Sequence, residues 1–353
     1  TLQTNKNFLT TTYNNMRRLA LYPLALLYGA VIWLRNRCFD LQLFKTQPIA
    51  GKSICVGNLA VGGTGKSPHV AYLIELLSDL LPIQVLSRGY GRNTSGYLEL
   101  TKTSTASQVG DESKMLYELY QNKAQFAVCE KRAFGIQQLR SQKPDSLILL
   151  DDAFQHRHVK AGLNIVLSVY NQPMHQDFLL PAGRLREPMS GLCRADAVVI
   201  TKCPKFDTFD AEQYAKTFQK WQIPVFFSRY TYRALQPLGK FIDEVREVLM
   251  VSGIALPEQL NEAFASDIRI RHKSYSDHHV YTAANLEEIH HFFDTFATAN
   301  TAIVTTAKDW VKIQSLLSPK DLQKYPWYLL TFELEWSDQT AFNQFISAYV
   351  VSN

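Results

Sequence analysis

The segment 62–67 reads GGTGKS, in which glycines precede a lysine and a hydroxyl residue. In such a phosphate-binding loop (P-loop), backbone N–H groups at the start of a helix surround nucleotide phosphates, the lysine reaches the β- and γ-phosphates, and the hydroxyl holds Mg²⁺. Ala60 replaces the first glycine of the usual spacing, which is tolerated where φ is negative. The predicted ATP ligands are Gly62, Gly63, Thr64, Gly65, Lys66 and Ser67.

Two adjacent carboxylates follow an apolar run further along the chain. Asp151 and Asp152 come directly after SLILL (146–150). Functional groups of α/β proteins gather at the carboxyl ends of strands, and Mg²⁺ prefers oxygen ligands. Both residues are therefore candidates for a Mg²⁺ ligand, either directly or through water.

Transfer of a phosphoryl group to an alcohol also needs a group that accepts the hydroxyl proton. Asp111, in the run VGDES, and His278, in SDHH, are candidates for this role. Each has a simpler interpretation: Asp111 would favour the dipole of a helix that starts near Ser113, and a single histidine such as His278 is more often a surface side chain.

These residues lie among alternating strands and helices, which predicts an α/β fold. The pattern indicates a P-loop NTPase-like, doubly wound, mostly parallel sheet with helices on both faces. Strands are predicted at 53–58, 83–86, 127–128, 146–150, 163–169 and 197–201, and helices at 69–81, 113–121 and 134–141.

A second, smaller α/β domain is predicted after the first. Its strands are expected at 248–252 and 301–305 and its helices at 257–265 and 286–296. Two alternating β-branched and aromatic segments are expected to pair as a two-stranded linker. The predicted organisation is a membrane-associating helical segment (1–45), the P-loop kinase domain (46–223), the linker (224–236 and 327–336), the smaller domain (237–326) and a C-terminal helix returning to the first domain (337–353).

The net charge of +5 is concentrated at the N-terminus, where residues 1–39 hold five basic residues and no acidic one: Lys6, Arg17, Arg18, Arg35 and Arg37. They flank an apolar run at 19–34 that contains Pro23 and is shorter than the roughly 20 residues of a spanning helix. Such a segment is typical of a helix lying at an anionic membrane surface; the alternative is a buried first helix. The five cysteines are widely spaced without a Cys-x-x-Cys pair, which favours reduced thiols.

Other classes of protein fit less well. A P-loop switch of the GTPase or metallochaperone type would carry a lysine at Val61, and Thr201-Lys202 is not followed by the rest of a guanine-binding motif. A metal phosphoesterase, suggested by Asp277-His278-His279, would need further clusters of metal ligands. No aromatic and basic module for nucleic acid follows the basic N-terminus.

Seven segments together resemble the tetraacyldisaccharide 4′-kinase family of Gram-negative bacteria. The resemblance spans nearly the whole chain and is carried by VGNLAVGGTGKSP (56–68), LSRGYGR (86–92), VGDES (109–113), LLDDAFQHRHV (149–159), LPAGRLREP (180–188), SDHHVY (276–281) and TTAKD (305–309). Ser113 and Ala153 depart from the residues expected there, proline and glycine.

The resemblance implies an ATP- and Mg²⁺-dependent lipid kinase of lipid A biosynthesis. It would phosphorylate the 4′-hydroxyl of a tetraacyl glucosamine disaccharide 1-phosphate at the cytoplasmic face of the inner membrane, with anionic lipids as its surface and neither nucleic acid nor a protein as partner. Asp111 would be the base, and His278 would be its partner across an interdomain cleft and would raise the basicity of Asp111. The acceptor hydroxyl would then be activated only when the domains close. Lys66 would act on the phosphates. Ser67, Asp151, Asp152 and Glu187 would manage Mg²⁺, and the implied phosphate or sugar contacts are Arg88, Tyr90, Arg92, Gln155, His156, Arg184, Arg186, Lys308 and Asp309.

Overall fold

The computed structural model describes residues 2–254 and 257–351, with side chains from Ala20 onward. The side chains of Lys6, Arg17, Arg18 and Leu19, part of the predicted basic and apolar N-terminus, lie outside the described residues. The chain divides into two compact units. We call Thr1–Arg88, Cys129–Arg229 and Glu335–Asn353 the P-loop unit, and Gly89–Val128 and Tyr230–Leu334 the second unit.

The P-loop unit is built on parallel strands in the order β10-β9-β8-β2-β6-β3. The central strands are continuously buried, which is the pattern expected when helices cover both faces of a parallel sheet. Its elements are α1 Leu2–Asp40, β1 Gln47–Pro48, β2 Ser53–Asn58, α2 Lys66–Leu77, β3 Ile83–Ser87, α5 Arg132–Gln142, β6 Leu147–Asp151, β7 Val159–Lys160, β8 Leu163–Val169, β9 Ala197–Thr201, α6 Ala211–Ala215 and α10 Gln339–Val351, with β10 Val225–Tyr232 and β16 Phe332–Trp336 running across its limits.

The second unit has a five-stranded sheet in the order β11-β15-β14-β12-β13, parallel except for β11. The antiparallel pair of β4 and β5 precedes this sheet in the chain. The elements of the unit are β4 Leu98–Glu99, α3 Ala106–Val109, α4 Asp111–Tyr120, β5 Ala124–Val128, β11 Gln236–Pro237, β12 Glu247–Ser252, β13 Arg269–Ser274, α7 Ala283–Asp294, β14 Thr301–Thr306, α8 Ala307–Ile313, α9 Pro319–Lys324 and β15 Trp327–Leu330.

The two units differ from the predicted domains most in where residues 89–128 belong. Residues 89–128, expected in the first domain, group with 230–334 instead. A local pattern of strand and helix indicates what each segment forms, but not which neighbouring core it joins. The two segments expected to form a linker are β10 and β16, which are neighbours in the strand order.

Helix α1 packs one face against the P-loop unit and leaves the other exposed. Ala25 and Phe39 are buried, whereas Leu27, Val31 and Leu34 are each more than half exposed. Gly29 permits the close approach, because a Cβ there would lie 2.8 Å from Leu179 Cδ1. One face of the helix is therefore buried, as the alternative interpretation expects, and the membrane-surface interpretation stays a prediction for the exposed face. Within the described residues, no helix is both long and apolar enough to cross a membrane.

Candidate active site

The P-loop joins a fully buried strand to a helix, as the sequence predicts. Strand β2 ends at Asn58 and α2 begins at Lys66. Gly62 and Gly65 have φ values of 107° and 93°, in the region where a side chain would be strained. The loop therefore depends on glycine at these two positions, and its amides lie at the amino end of α2, where anions are favoured.

The segment 184–186 runs alongside the P-loop and is tied to it by backbone hydrogen bonds. Val61 N donates to the carbonyl of Arg184 at 2.8 Å, and Arg186 N donates to the carbonyl of Leu59 at 2.7 Å. Sequence motifs more than a hundred residues apart are thereby brought to one edge of the sheet. Arg184 pairs with Asp177, with Nε to Oδ2 at 2.8 Å.

The carboxylate of Asp152 lies between two cationic side chains beside the P-loop. Its Oδ2 lies 3.6 Å from Lys66 Nζ, and its Oδ1 lies 3.1 Å from Arg186 Nη1. The backbone of Asp152 has a φ of 53°, so the end of β6 turns sharply at this residue. The carboxylate is thus held at the lysine that would contact the terminal phosphates of a nucleotide.

The other two predicted acidic residues are buried in polar surroundings. Asp151 Oδ2 accepts a hydrogen bond from Ser87 Oγ at 3.2 Å. Glu187 Oε2 pairs with Arg194, and its Oε1 accepts a hydrogen bond from Gln155 Nε2 at 2.9 Å. Among the described residues, no three His, Cys, Asp or Glu side chains converge as a metal cluster. Carboxylates such as those of Asp151, Asp152 and Glu187 are the protein ligands that Mg²⁺ prefers, and one or two of them usually suffice beside phosphates and water.

Helix α1 contacts this acidic region directly. Tyr28 Oη donates to the carbonyl of Arg186 at 2.8 Å, and Asn36 Nδ2 lies 3.4 Å from Glu187 Oε2. Arg35 donates to the carbonyl of Gln155 at 2.9 Å. Burial raises the pKa of Tyr28, against the opposing effect of Arg186, so the phenol remains a donor at neutral pH. The helix therefore helps to shape the segment that carries Arg186 and Glu187.

In the second unit, Asp111 is held by two partners on a single oxygen. His278 Nδ1 lies 3.2 Å from Asp111 Oδ2, and Lys312 Nζ lies 3.3 Å from the same atom. Asp111 begins α4, and Lys312 is on α8. The predicted base Asp111 and its partner His278 both belong to this one unit. The expectation that they meet only when two domains close is therefore wrong.

The buried carboxylate of Asp309 lies beside the ammonium group of Lys312. It is 0% exposed and accepts hydrogen bonds from Tyr281 Oη at 3.2 Å and Thr306 Oγ1 at 2.8 Å. Its Oδ1 lies 3.7 Å from Lys312 Nζ. The Asp309 carboxylate is fully buried, so the described structure does not offer it for the direct substrate contact that the resemblance implies.

The remaining predicted contacts are distributed over both units. Arg88 and Tyr90 are exposed, and the Tyr90 ring lies 5.8 Å from that of His278. Arg92 donates to the carbonyl of Gly96 at 2.7 Å, and Lys308 Nζ pairs with Asp277 at 2.8 Å. In the P-loop unit, burial and nearby arginines lower the pKa of His156 to about 4, which makes it a neutral side chain at physiological pH.

Comparison with known proteins decides the family. The model of the family described as tetraacyldisaccharide-1-P 4′-kinase (LpxK) matches residues 17–351. The chain belongs to this kinase family. Relatives with the name tetraacyldisaccharide 4′-kinase include one from Bacteroides thetaiotaomicron, 38% identical over 94% of this chain and 93% of its own length, and one from Flavobacterium psychrophilum, 37% identical over 96% and 98%.

The fold of the LpxK family agrees with the described architecture. The crystal structure of "apo" form LpxK from Aquifex aeolicus in complex with ATP superimposes with a TM-score of 0.72 at 25% identity, over 94% of this chain and 99% of that one. The likeness supports the P-loop NTPase-like α/β fold expected from the sequence, and it gives this chain a structural neighbour that binds ATP.

Sequence reasoning missed Lys312, Tyr28 and Asn36. Lys312 follows Lys308-Asp309 by one helical turn, so the spacing in KDWVK (308–312) is an available signal. Tyr28 and Asn36 offer no such signal, because their value comes from contacts with residues far away in sequence.

Proposed function

We propose that the chain transfers the γ-phosphate of ATP to the 4′-hydroxyl of a tetraacyl glucosamine disaccharide 1-phosphate. The observation that carries this proposal is the presence, in one chain, of a P-loop with Lys66 at its helix start and of a carboxylate, Asp111, fixed by His278 and Lys312. A nucleotide-driven switch needs only the first of these, whereas transfer to an alcohol also needs the second.

Asp111 is the proposed general base. Because the described contacts to its carboxylate both fall on Oδ2, Oδ1 is the atom that accepts the proton of the acceptor hydroxyl. The hydroxyl oxygen bonds to the γ-phosphorus as the bond from that phosphorus to the bridging oxygen of ADP breaks. Lys66 and the loop amides stabilise the charge that spreads over the phosphate oxygens.

Ser67 and Asp152 are the residues we assign to Mg²⁺, with Asp151 and Glu187 in support. When bound by these residues, the ion would neutralise and orient the phosphates. The 3.6 Å distance from Asp152 to Lys66 favours Asp152 over Asp151 as the acid nearer the phosphates. Arg186, already paired with Asp152, is placed to act on the same charge.

The acceptor is assigned to the polar residues that the resemblance implies as substrate contacts. The proposed phosphate and sugar contacts are Arg88, Tyr90, Arg92, Gln155, His156, Arg184, Arg186 and Lys308. Arg184 and Lys308 are engaged with Asp177 and Asp277, so they would have to exchange those partners for the substrate.

We further propose that the enzyme works at the cytoplasmic face of the inner membrane of a Gram-negative bacterium. An acceptor with four acyl chains leaves the bilayer at a cost of about 0.8 kcal/mol for each methylene exposed. The exposed apolar face of α1 supports the proposal that the enzyme comes to the membrane instead.

The test is incubation of the full chain with γ-labelled ATP and the tetraacyl disaccharide 1-phosphate in detergent micelles. We expect label on the lipid with the wild type and a loss of on the order of a hundredfold or more in rate for Asp111→Asn, with ATP binding retained. Glu112→Gln, which changes the exposed neighbouring acid in the same helical turn, is the matched control. ATP binding without label on the lipid would reject the acceptor, and normal transfer by the Asn variant would reject Asp111 as the base.

A further inference from the structure

The two carbonyl groups at the centre of the P-loop are each held by a buried side chain. Thr201 Oγ1 donates to the carbonyl of Thr64 at 2.9 Å. His69 Nδ1 lies 2.7 Å from the carbonyl oxygen of Gly65, which also accepts the backbone N–H of His69 at 3.3 Å. Neither of these two side chains belongs to the sequence motif of the loop.

The protonation of His69 follows from its partners. A carbonyl can only accept, so Nδ1 must carry the hydrogen, and Nε2 then accepts from Ser228 Oγ at 3.0 Å. The ring is buried and packs edge-on against Trp336. Burial lowers the pKa of His69 to about 4, which agrees with a neutral ring whose two nitrogens have fixed roles.

Fixing these carbonyls also fixes two amides of the loop. A peptide bond is planar and trans, so its C=O and the N–H of the next residue point in opposite directions. The Thr201 contact therefore sets the direction of the Gly65 N–H, and the His69 contact sets that of the Lys66 N–H. These amides belong to the set that surrounds phosphates in a P-loop, and a carbonyl turned the other way would place a negative dipole there.

We propose that Thr201 and His69 are positioning residues for ATP, which orient the Gly65 and Lys66 amides toward the phosphates by holding the preceding carbonyls away from them. This role rests on the proposed nucleotide site. Asn58 completes the arrangement, because its Nδ2 donates to Thr64 Oγ1 at 2.8 Å and so fixes the side chain of the residue whose carbonyl Thr201 holds. The last residue of β9 and the first turn of α2 thus set the loop before the nucleotide arrives.

The test compares paired substitutions in the full chain, with the dissociation constant for ATP measured by calorimetry in the presence of Mg²⁺ and without acceptor. Thr201→Val keeps the shape and removes the donor, whereas Thr201→Ser keeps the donor. His69→Asn keeps an amide donor at the place of Nδ1, whereas His69→Gln carries its amide at the place of Nε2. We expect about tenfold weaker binding for the Val and Gln variants, and binding within about twofold of wild type for Ser and Asn.

Ser53→Ala is the control for the loss of a buried hydroxyl. Ser53 lies at the opposite end of β2, where its Oγ accepts from Gly162 N at 3.0 Å, so this variant should lose thermal stability without losing ATP affinity. In steady-state kinetics, the Val and Gln variants should raise KM for ATP more than they lower kcat.

Two results would overturn the proposal: ATP binding by Thr201→Val and His69→Gln equal to that of the wild type, or a loss in the Ser and Asn variants as large as in their partners, which would mean that packing is responsible. If one substitution prevents folding, the pair at the other position decides. Failure of the wild type to bind ATP would overturn the nucleotide site itself and this role with it, whereas unchanged binding in the variants would overturn only this role.

Discussion

Lys312 contacts the proposed base, Asp111, although the sequence analysis does not predict this contact. Its side chain is 8% exposed, and its ammonium lies between Asp111, whose side chain is 16% exposed, and the buried Asp309. A charge in such a place needs its partners, and removing one partner of a buried ion pair costs about 3–5 kcal/mol in typical cases. Lys312 therefore fixes the orientation of the Asp111 carboxylate together with His278.

Replacement of Lys312 by methionine should lower kcat on the order of tenfold or more, because the carboxylate then rotates away from the acceptor hydroxyl. KM for ATP should stay within about twofold, since the P-loop is untouched. Steady-state kinetics measure both. Lys324→Met, which removes a lysine paired with Asp294 at the surface, serves as control, and a kcat equal to that of the wild type in the Lys312 variant would contradict the assignment.

Individual residues differ in how far the sequence reveals them. Lys66 and Ser67 are identifiable from spacing alone, because the P-loop is a local structure whose geometry depends on adjacent residues. The sequence assigns Asp309 to the substrate because burial is not visible in a short motif. Thr201 and Tyr28 act through backbone carbonyls of distant segments, and no pattern of residue types predicts such a contact.

Among the elements, α1 has two faces with different surroundings. Its inner face carries Tyr28 and Asn36 to the segment with Arg186 and Glu187. Its outer face exposes large apolar side chains, of which Leu27 is 64% exposed and Val31 59% exposed. An element with this arrangement would connect the lipid surface to the acidic region of the proposed site.

The double variant Leu27→Glu, Val31→Glu should bind anionic phospholipid vesicles about tenfold or more weakly, because each buried aliphatic side chain contributes about 1.5–3 kcal/mol to transfer from water. Co-sedimentation measures the bound fraction. Activity in detergent micelles should remain within about twofold, since the inner face is unchanged. Leu80→Glu alters an apolar side chain that is 61% exposed elsewhere in the P-loop unit and should bind as the wild type does; equal binding by the α1 variant would disprove the membrane role.

The boundaries of the elements are predictable where the hydrophobic pattern is strong. Strand β2 is expected at 53–58 and forms there, because every residue in it is buried. Helix α2 is expected at 69–81 but spans Lys66–Leu77. Its first turn belongs to the P-loop and has no hydrophobic period of its own, so the pattern alone places its start too late.

At the scale of the whole molecule, each unit is assembled from separated stretches of chain. The second unit takes in Gly89–Val128 together with Tyr230–Leu334, and this is why Asp111 and His278 share a unit although their sequence positions suggest otherwise. Pairing between distant segments is decided by tertiary packing, which the alternation of strands and helices does not encode.

ATP at about a hundred times its dissociation constant should stabilise the state that binds it by about 2.7 kcal/mol. We expect amide hydrogen exchange to slow most in β2 and α2, whose amides surround the P-loop, and least in β12 to β15 of the second unit. Exchange measured by mass spectrometry with and without ATP and Mg²⁺ tests this, with Lys66→Ala as the control that should show little change. Protection concentrated in β12 to β15 would place the nucleotide elsewhere.

The position of α10 has a consequence for how each new molecule matures. Phe342, Ile346 and Val350 are buried in the P-loop unit, and Tyr349 Oη donates to the carbonyl of Ser53, at the start of β2. Strand β2 is synthesised early in translation, whereas helix α10, which packs in the same unit, is synthesised much later. The apolar surface against which α10 packs therefore stays exposed in the nascent chain at least until the ribosome has passed Val351. During this period chaperones would protect the chain against aggregation.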